Sequence, residues 1–126
     1  MRLVVEIDDR RFALAALATR APVPVEITEP PPDGLPASVE IAIYFVVAEA
    51  LTNVAKYARA RHATVTVRRE PAGAVVEIVD DGTGGAEPGQ GSGLRGLADR
   101  LAALDGRLGV DSPRGRGTRL RAEIPL

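Results

Sequence analysis

The sequence predicts an α+β domain, a two-layer sandwich in which a mixed β-sheet is covered on one face by helices. Three observations predict it. Thr64 to Glu70 (TVTVRRE) alternates apolar and polar residues, and Ala74 to Val79 (AVVEIV) follows across a Pro71-Ala72-Gly73 turn, the pattern of an antiparallel hairpin. A long apolar segment begins near Pro36 to Ser38 and ends around Tyr57 to Arg61, with the length and composition of a helix. Along the chain the order is helix, strand, long helix, strand, strand, helix, strand, strand, and such runs of strands separated by helices build a mixed layered sheet.

Composition sets the bounds. With 126 residues the chain is expected to form one domain spanning 1–126, large enough for a real core. Its net charge of −1 gives no global basic field, which argues against broad binding to nucleic-acid phosphates. Cysteine is absent, so disulfides, thiolate metal sites and cysteine catalysis are excluded. That absence fits a cytoplasmic protein. No signal peptide is visible, and no apolar run approaches the roughly 18 residues of a membrane helix; the longest, Ile41 to Leu51, is broken by Glu49.

Taken in order, residues 1–22 read as a leader and a short helix: Met1 to Asp8 as a leader or short strand, Arg10 to Arg20 as the helix stopped by Pro22 and Pro24. Val23 to Thr28 alternates as a half-buried strand, with Pro24 marking an edge or a strand start. Glu29 to Pro36 (EPPPDGLP) is a loop. The long helix is expected to bury Ile41, Tyr44, Phe45, Ala48, Leu51, Thr52 and Ala55, with basic residues near its C-terminus opposing the dipole. After the hairpin, Ala86 to Ser92 offers little to pack. Gly93 to Asp105 reads as a helix capped by Gly106. Leu108 to Asp111 and Thr118 to Pro125 are the last strands, joined by a Ser112 to Gly117 turn.

Polar residues at odds with these patterns mark the chemistry. In EALTNVAKY, Glu49, Asn53 and Lys56 fall within roughly 60° of one another around the helix axis, so a carboxylate, a carboxamide and an ammonium share one face. The carboxamide oxygen can ligate a hard cation such as Mg²⁺. The ammonium can meet a phosphate, and the carboxylate can accept a proton or hold a water. A solvated helix face with an ordinary i,i+3 ion pair is the bland alternative. In DDGTGG, Asp80 ends a strand, so its carboxylate can be held rigidly to accept from an amino group such as that of adenine. Gly82 and Gly84 let the backbone approach a flat ligand. An ordinary strand-ending turn would look similar. In GSGLRGL, Gly91, Gly93 and Gly96 lead into a helix N-terminus whose bare amides attract phosphate. These glycines follow a loop rather than a strand, unlike the dinucleotide fingerprint, and there is no Gly-Lys-Ser/Thr P-loop.

Together the pieces are far more specific. Glu49…Asn53…Lys56, Asp80-x-Gly82-x-Gly84, Gly91-x-Gly93-Leu94-x-Gly96-Leu97 and Gly117-Thr118 resemble, in order, the N, G1 and G2 boxes and the terminal Gly-Thr of the GHKL ATPase superfamily. The wording from about Val23 to Leu126 is most similar to the catalytic ATP-binding domain of bacterial sensor histidine kinases, in the subfamily that pairs with NarL/LuxR-type response regulators. The resemblance implies the Bergerat ATP-binding fold, with ATP and Mg²⁺ as cofactors. It implies that Asn53 coordinates Mg²⁺ and that Lys56 contacts phosphate. Asp80 would bind the adenine amino group, with Gly82, Gly84 and Thr118 around it. Gly91, Gly93 and Gly96, with Leu94 among them, would form the phosphate-side hinge of a lid over Ala86 to Ser92. Glu49 would be the catalytic carboxylate, which activates water in the hydrolysing members of the superfamily and in kinases would support Mg²⁺ or the incoming histidine. Tyr57 replaces the histidine usual in this subfamily, and tyrosine does not change charge near neutrality.

The implied reaction is transfer of the γ-phosphoryl group to a histidine on a separate dimerisation domain. His62, the one histidine, sits in a turn as Arg-His-Ala without the acidic neighbour of a phosphoacceptor. The chain is therefore expected to bind ATP as a monomer and not to autophosphorylate alone. Two other classes share the features: an anti-sigma-factor serine kinase of the same fold, and a non-catalytic nucleotide-binding or interaction module.

Overall fold

The computed structural model describes residues 14–29, 32, 34–55, 59–85 and 93–126. The Met1 to Asp8 reading, Lys56, Tyr57, Gly91 and the Ala86 to Ser92 segment lie outside the described residues. Helical residues 14–20 (α1) lead into β1 (Val25–Glu29), α2 (Ala37–Asn53), the hairpin β2 (Ala63–Glu70) and β3 (Gly73–Asp80), α3 (Leu94–Ala102), β4 (Arg107–Asp111) and β5 (Thr118–Ile124). This is the predicted order, and the architecture is the predicted α+β sandwich on a five-stranded mixed sheet.

The sheet runs β1-β2-β3-β5-β4, parallel between β1 and β2 and antiparallel elsewhere. Its register sorts the side chains into rows. Ile27, Val65, Ile78, Leu120 and Val110 align across all five strands, and Val67, Val76, Ala122 and Leu108 form a second row. These rows make the floor of the core, on which Val39, Ile43, Val46, Val47 and Leu51 of α2 and Leu94, Leu97 and Leu101 of α3 pack. Leu14 of α1 joins the same core. Among the described residues no helix packs on the other face, which is charged. Arg121 donates through Nε to Glu123 at 2.9 Å and reaches Glu77 on β3 at 3.4 Å, while Arg68 donates to Glu70 at 2.7 Å. Opposite charges facing each other across strands suit a solvated sheet face. Val75 on that face is buried nonetheless, among these long charged side chains.

Helix α2 departs from expectation on its buried face. Leu51 is buried as expected, but Ile41 is 55 % exposed and Phe45 39 % exposed, and Thr52 and Ala55 face solvent. The core is made instead by Val39, Ala42, Ile43, Val46, Val47, Ala50, Leu51 and Val54, the opposite side of the helix. The reason is that α2 is apolar nearly all round, so period alone cannot choose a face. Bulk pointed to Ile41, Tyr44 and Phe45, yet the smaller and β-branched residues sit against the sheet. Phe45 is covered in part from α3, where the Arg100 guanidinium lies 4.0 Å from its ring centroid. Up to Asn53 the last turn of α2 holds no basic residue; the helix end expected around Tyr57 to Arg61 falls partly outside the described residues. Its first turn starts behind Pro36, with the Val39 and Glu40 amides both donating to the Pro36 carbonyl at 3.0 Å.

Helix α3 is shorter than expected. It closes at Ala102 with reverse bonds: Gly106 N–H donates to Leu101 O at 2.7 Å and Asp105 N–H to Ala102 O at 3.0 Å. Asp105, not Gly106, takes the left-handed conformation, with φ of 59°. Gly106 serves close approach, because a Cβ there would stand 2.7 Å from the Glu123 carbonyl.

Candidate functional site

Asp80 is the one charged side chain buried among the described residues, at 7 % exposure. It is the last residue of β3, paired in register with Ala63 on one side and Thr118 on the other. Even-numbered residues of β3 face the helices, so the same alternation that puts Val76 and Ile78 in the core brings Asp80 inward at the end of the sheet. A carboxylate so placed must be hydrogen-bonded. Gly82 N–H donates to its Oδ1 at 2.8 Å, and the Thr118 amide also serves it. Burial pushes the carboxyl above its usual range; the two amides oppose the shift, and the charge of Asp81 adds to it.

Glycines shape the loops around this carboxylate. Gly117, at φ of 77°, lies so close that a Cβ would come within 2.1 Å of the Asp80 carbonyl. Gly84, at φ of 68°, is pressed in the same way on the Pro113 carbonyl. These contacts tie the 81–85 loop to the 112–117 turn, as do the Gly85 N–H to Ser112 O bond at 2.7 Å and the Gly115 N–H to Thr83 O bond at 2.6 Å. The Thr118 and Ser112 hydroxyls are 2.6 Å apart. Ser112 and Gly117 are the participants that sequence reasoning did not single out as site residues, although Gly117 stood in the Gly-Thr motif.

Glu49 and Asn53 lie one turn apart on α2, both half-buried beside its core face. Past Asn53 the helix winds wider through Val54 and Ala55. Glu49 reaches the start of α3. Gly93 stands at φ of 81°, which favours glycine, and a Cβ there would fall 1.8 Å from Glu49 Oε1, so a side chain at this position would have to displace the Glu49 carboxylate. Leu94 is 1 % exposed and anchors the first turn of α3 in the core. Gly96 is open, with nothing within 4 Å of where a Cβ would stand.

A second carboxylate emerges that the sequence did not flag. Asp81 Oδ1 accepts from the backbone N–H of Arg61 at 2.8 Å and of His62 at 3.0 Å, and Oδ2 lies 3.0 Å from His62 Nδ1. The His62 amide above all, then that of Arg61 and the ring, hold the Asp81 carboxyl at about 2, below its ordinary 3.8. His62 is thus an exposed turn residue, as expected, but it does have an acidic partner, supplied by the residue that follows β3 rather than by its sequence neighbours.

The residues fit a purine nucleotide at the base end. A buried, amide-held acceptor at a strand end, walled by glycine backbone, suits an amino-bearing ring. Among the described residues no group of three or more acidic or histidine side chains could hold a metal ion. Asn53 and Glu49 could therefore supply only part of an oxygen shell, and a hard cation here would need the phosphates of its nucleotide for the rest. Among the described residues no helix is long and apolar enough to cross a membrane.

Comparison with known proteins gives a concordant result. Residues 38–126 match the family described as histidine kinase-, DNA gyrase B- and HSP90-like ATPase. The chain is 35 % identical over 92 residues to the oxygen sensor histidine kinase NreB of Staphylococcus carnosus, covering 70 % of this chain and 26 % of that protein. It is 36 % identical over 94 residues to the signal transduction histidine-protein kinase/phosphatase DegS of Brevibacillus brevis, covering 72 % of this chain and 24 % of that one. It thus spans about a quarter of the length of these curated relatives. The fold is shared with the Erythrobacter litoralis EL346 blue-light activated histidine kinase, at a TM-score of 0.73 and 24 % identity over 91 % of this chain and 40 % of that one. It is shared too with the ATP-binding domain of PrrB from Mycobacterium tuberculosis, at a TM-score of 0.64 and 24 % identity over 94 % and 93 % of the two chains. The order of motifs, the sheet topology and the buried Asp80 all agree with that match, and the chain belongs to the histidine kinase-, DNA gyrase B- and HSP90-like ATPase family.

Proposed function

We propose that this chain is the ATP-binding catalytic domain of a two-component sensor histidine kinase. It would present the γ-phosphoryl group of Mg-ATP to a histidine on a separate helical dimerisation domain. The observation that carries the reading is Asp80, a buried carboxylate held by two backbone amides at the end of a strand. Such a group has no structural need to be charged, but it matches the amino edge of adenine. The two curated relatives, both named histidine kinases, support this reading over an anti-sigma serine kinase or a non-catalytic module.

In this mechanism the domain positions and neutralises rather than forming covalent bonds, as phosphoryl transfer requires. Asp80 accepts from the base amino group, with Gly82, Gly84 and Thr118 around it. Asn53 would hold a Mg²⁺ ion through its side-chain oxygen, and Lys56 and Tyr57 would contact the phosphate chain. Glu49 stands at the phosphate end, where it supports the metal shell or faces the incoming histidine. Gly91, Gly93, Leu94 and Gly96 are assigned to the hinge between α3 and the lid. Bound Mg²⁺ would neutralise charge developing on the transferred group. The downstream partner would be a NarL/LuxR-type response regulator. The domain would act in the cytoplasm, monomeric in isolation.

The test is the thermal midpoint with and without Mg²⁺ and a non-hydrolysable ATP analogue. A ligand that binds only the folded state, at about 100 times its Kd, adds about 2.7 kcal/mol. The expected result is a Mg²⁺-dependent rise that disappears in Asp80→Ala. Absence of any rise at millimolar nucleotide would overturn the reading in favour of an interaction module.

A further inference from the structure

We infer that Asp81 is a positioning residue for the nucleotide site, fixing the phosphate-side residues of α2 relative to the base-side Asp80. The inference rests on the function proposed above. Asn53 lies at the end of α2, and Asp80 lies at the end of β3. The covalent route between those ends passes through the 54–62 segment and the whole β2–β3 hairpin. The last rung of that hairpin ladder pairs Ala63 with Asp80. Among the described residues 59–62, no strand pairing continues beyond it.

The Asp81 side chain takes over where the ladder stops. Its Oδ1 collects the N–H groups of both Arg61 and His62, at 2.8 and 3.0 Å, and its Oδ2 faces His62 Nδ1 at 3.0 Å. Two residues upstream, Arg59 stands at φ of 50°, a conformation that a non-glycine residue keeps only where its surroundings impose it. Asp81, the residue after β3, is exposed and bound to the 61–62 backbone while Asp80 is buried, so Asp81 acts through position. The imidazole arm is the lesser one, because His62 is 58 % exposed and exposed ion pairs contribute little. The amide bonds make the clamp, since a carboxylate is a strong acceptor for backbone N–H.

The geometry separates clamp from charge. In Asp81→Asn one oxygen remains to take both amides. Asp81→Ala removes the acceptor altogether. Asp81→Glu keeps the charge but displaces the acceptor by one methylene.

The experiment measures the dissociation constant of the full chain for the Mg²⁺ complex of a non-hydrolysable ATP analogue. Adenosine, which reaches only the base end, is measured alongside as a competitor, and all variants are checked to be folded by circular dichroism. We expect Asp81→Ala and Asp81→Glu to bind Mg²⁺-nucleotide about tenfold more weakly, the scale at which losing an outer partner weakens a site. Asp81→Asn stays near the wild type, and adenosine affinity is unchanged throughout. An Asp81→Ala affinity equal to wild type overturns the inference. So does an Asp81→Asn as weak as Asp81→Ala, or an equal loss for adenosine. If Asp81→Ala does not fold, the contrast between Asn and Glu decides in the same way. If the wild type itself binds no Mg²⁺-nucleotide, the function proposal falls and takes this inference with it. If the wild type binds, Asp80→Ala does not, and the Asp81 variants match the wild type, only the clamp falls.

Discussion

Two adjacent aspartates at the end of β3 have opposite electrostatics, and pH separates them. Asp80 is buried and its carboxyl is raised, so its charge opposes folding at neutral pH and that opposition is relieved as acid protonates it. Asp81 is hydrogen-bonded at the surface and lowered to about 2 from 3.8. A lowered acid stabilises the fold above its unfolded value, and that contribution is lost as pH falls through the folded one. Asp81→Asn, which keeps the amide acceptor without the charge, should therefore be less stable than wild type near neutrality. The gap should close as pH falls from 3.8 to about 2. Urea midpoints measured across that range check it; a gap that stays constant would show that the carboxylate charge contributes nothing. Asp80 was legible in the sequence because an acid ending an apolar strand before two glycines breaks the local pattern. Asp81 was not, because its partners Arg61 and His62 lie 20 and 19 residues away and become neighbours only through hairpin register.

At the scale of elements, the strands were legible and one helix face was not. The alternation in β2 survives as an alternating burial pattern up to Val67, because one sheet face meets helices and the other meets water. Pairing then fixes register, and register brings Thr118 to Asp80 with no sequence signal beyond the Gly-Thr itself. In α2 the period carried no such information, since apolar residues occupy both sides. Glu49 and Asn53 stand out there because they are polar in an apolar setting, which does not depend on which side is core. The two isoleucines offer a direct check. Ile43 is 4 % exposed and Ile41 is 55 % exposed, two positions apart on the same helix. Ile43→Ala should cost about 2–5 kcal/mol through lost burial and an unfilled cavity. Ile41→Ala should change stability by no more than about 0.5 kcal/mol. Urea unfolding of both variants measures the contrast, and the reverse order would restore the face expected from bulk.

For the whole molecule, topology decides what the chain can and cannot do alone. Under the proposed function, the base-side residues come from β3 and the 112–118 region, while Glu49 and Asn53 come from α2, and Glu49 meets α3 at Gly93. A site assembled from separate elements of one sheet-and-helix sandwich can hold a nucleotide, but phosphoryl transfer also needs an acceptor in line with the γ-phosphate. The one histidine of the sequence is His62. Its Nδ1 is engaged by Asp81, and it lies on the turn leading into β2, next to the Ala63–Asp80 rung of the sheet. Under the proposed function, the chain incubated with Mg²⁺ and γ-labelled ATP should acquire no acid-labile phosphate. A helical dimerisation domain bearing the acceptor histidine, added in trans, should become labelled. His62→Ala should leave that labelling unchanged, and Asn53→Ala should abolish it. Label appearing on the isolated chain and disappearing with His62→Ala would instead make this turn the acceptor, and the separate helical domain would no longer be required by the chemistry.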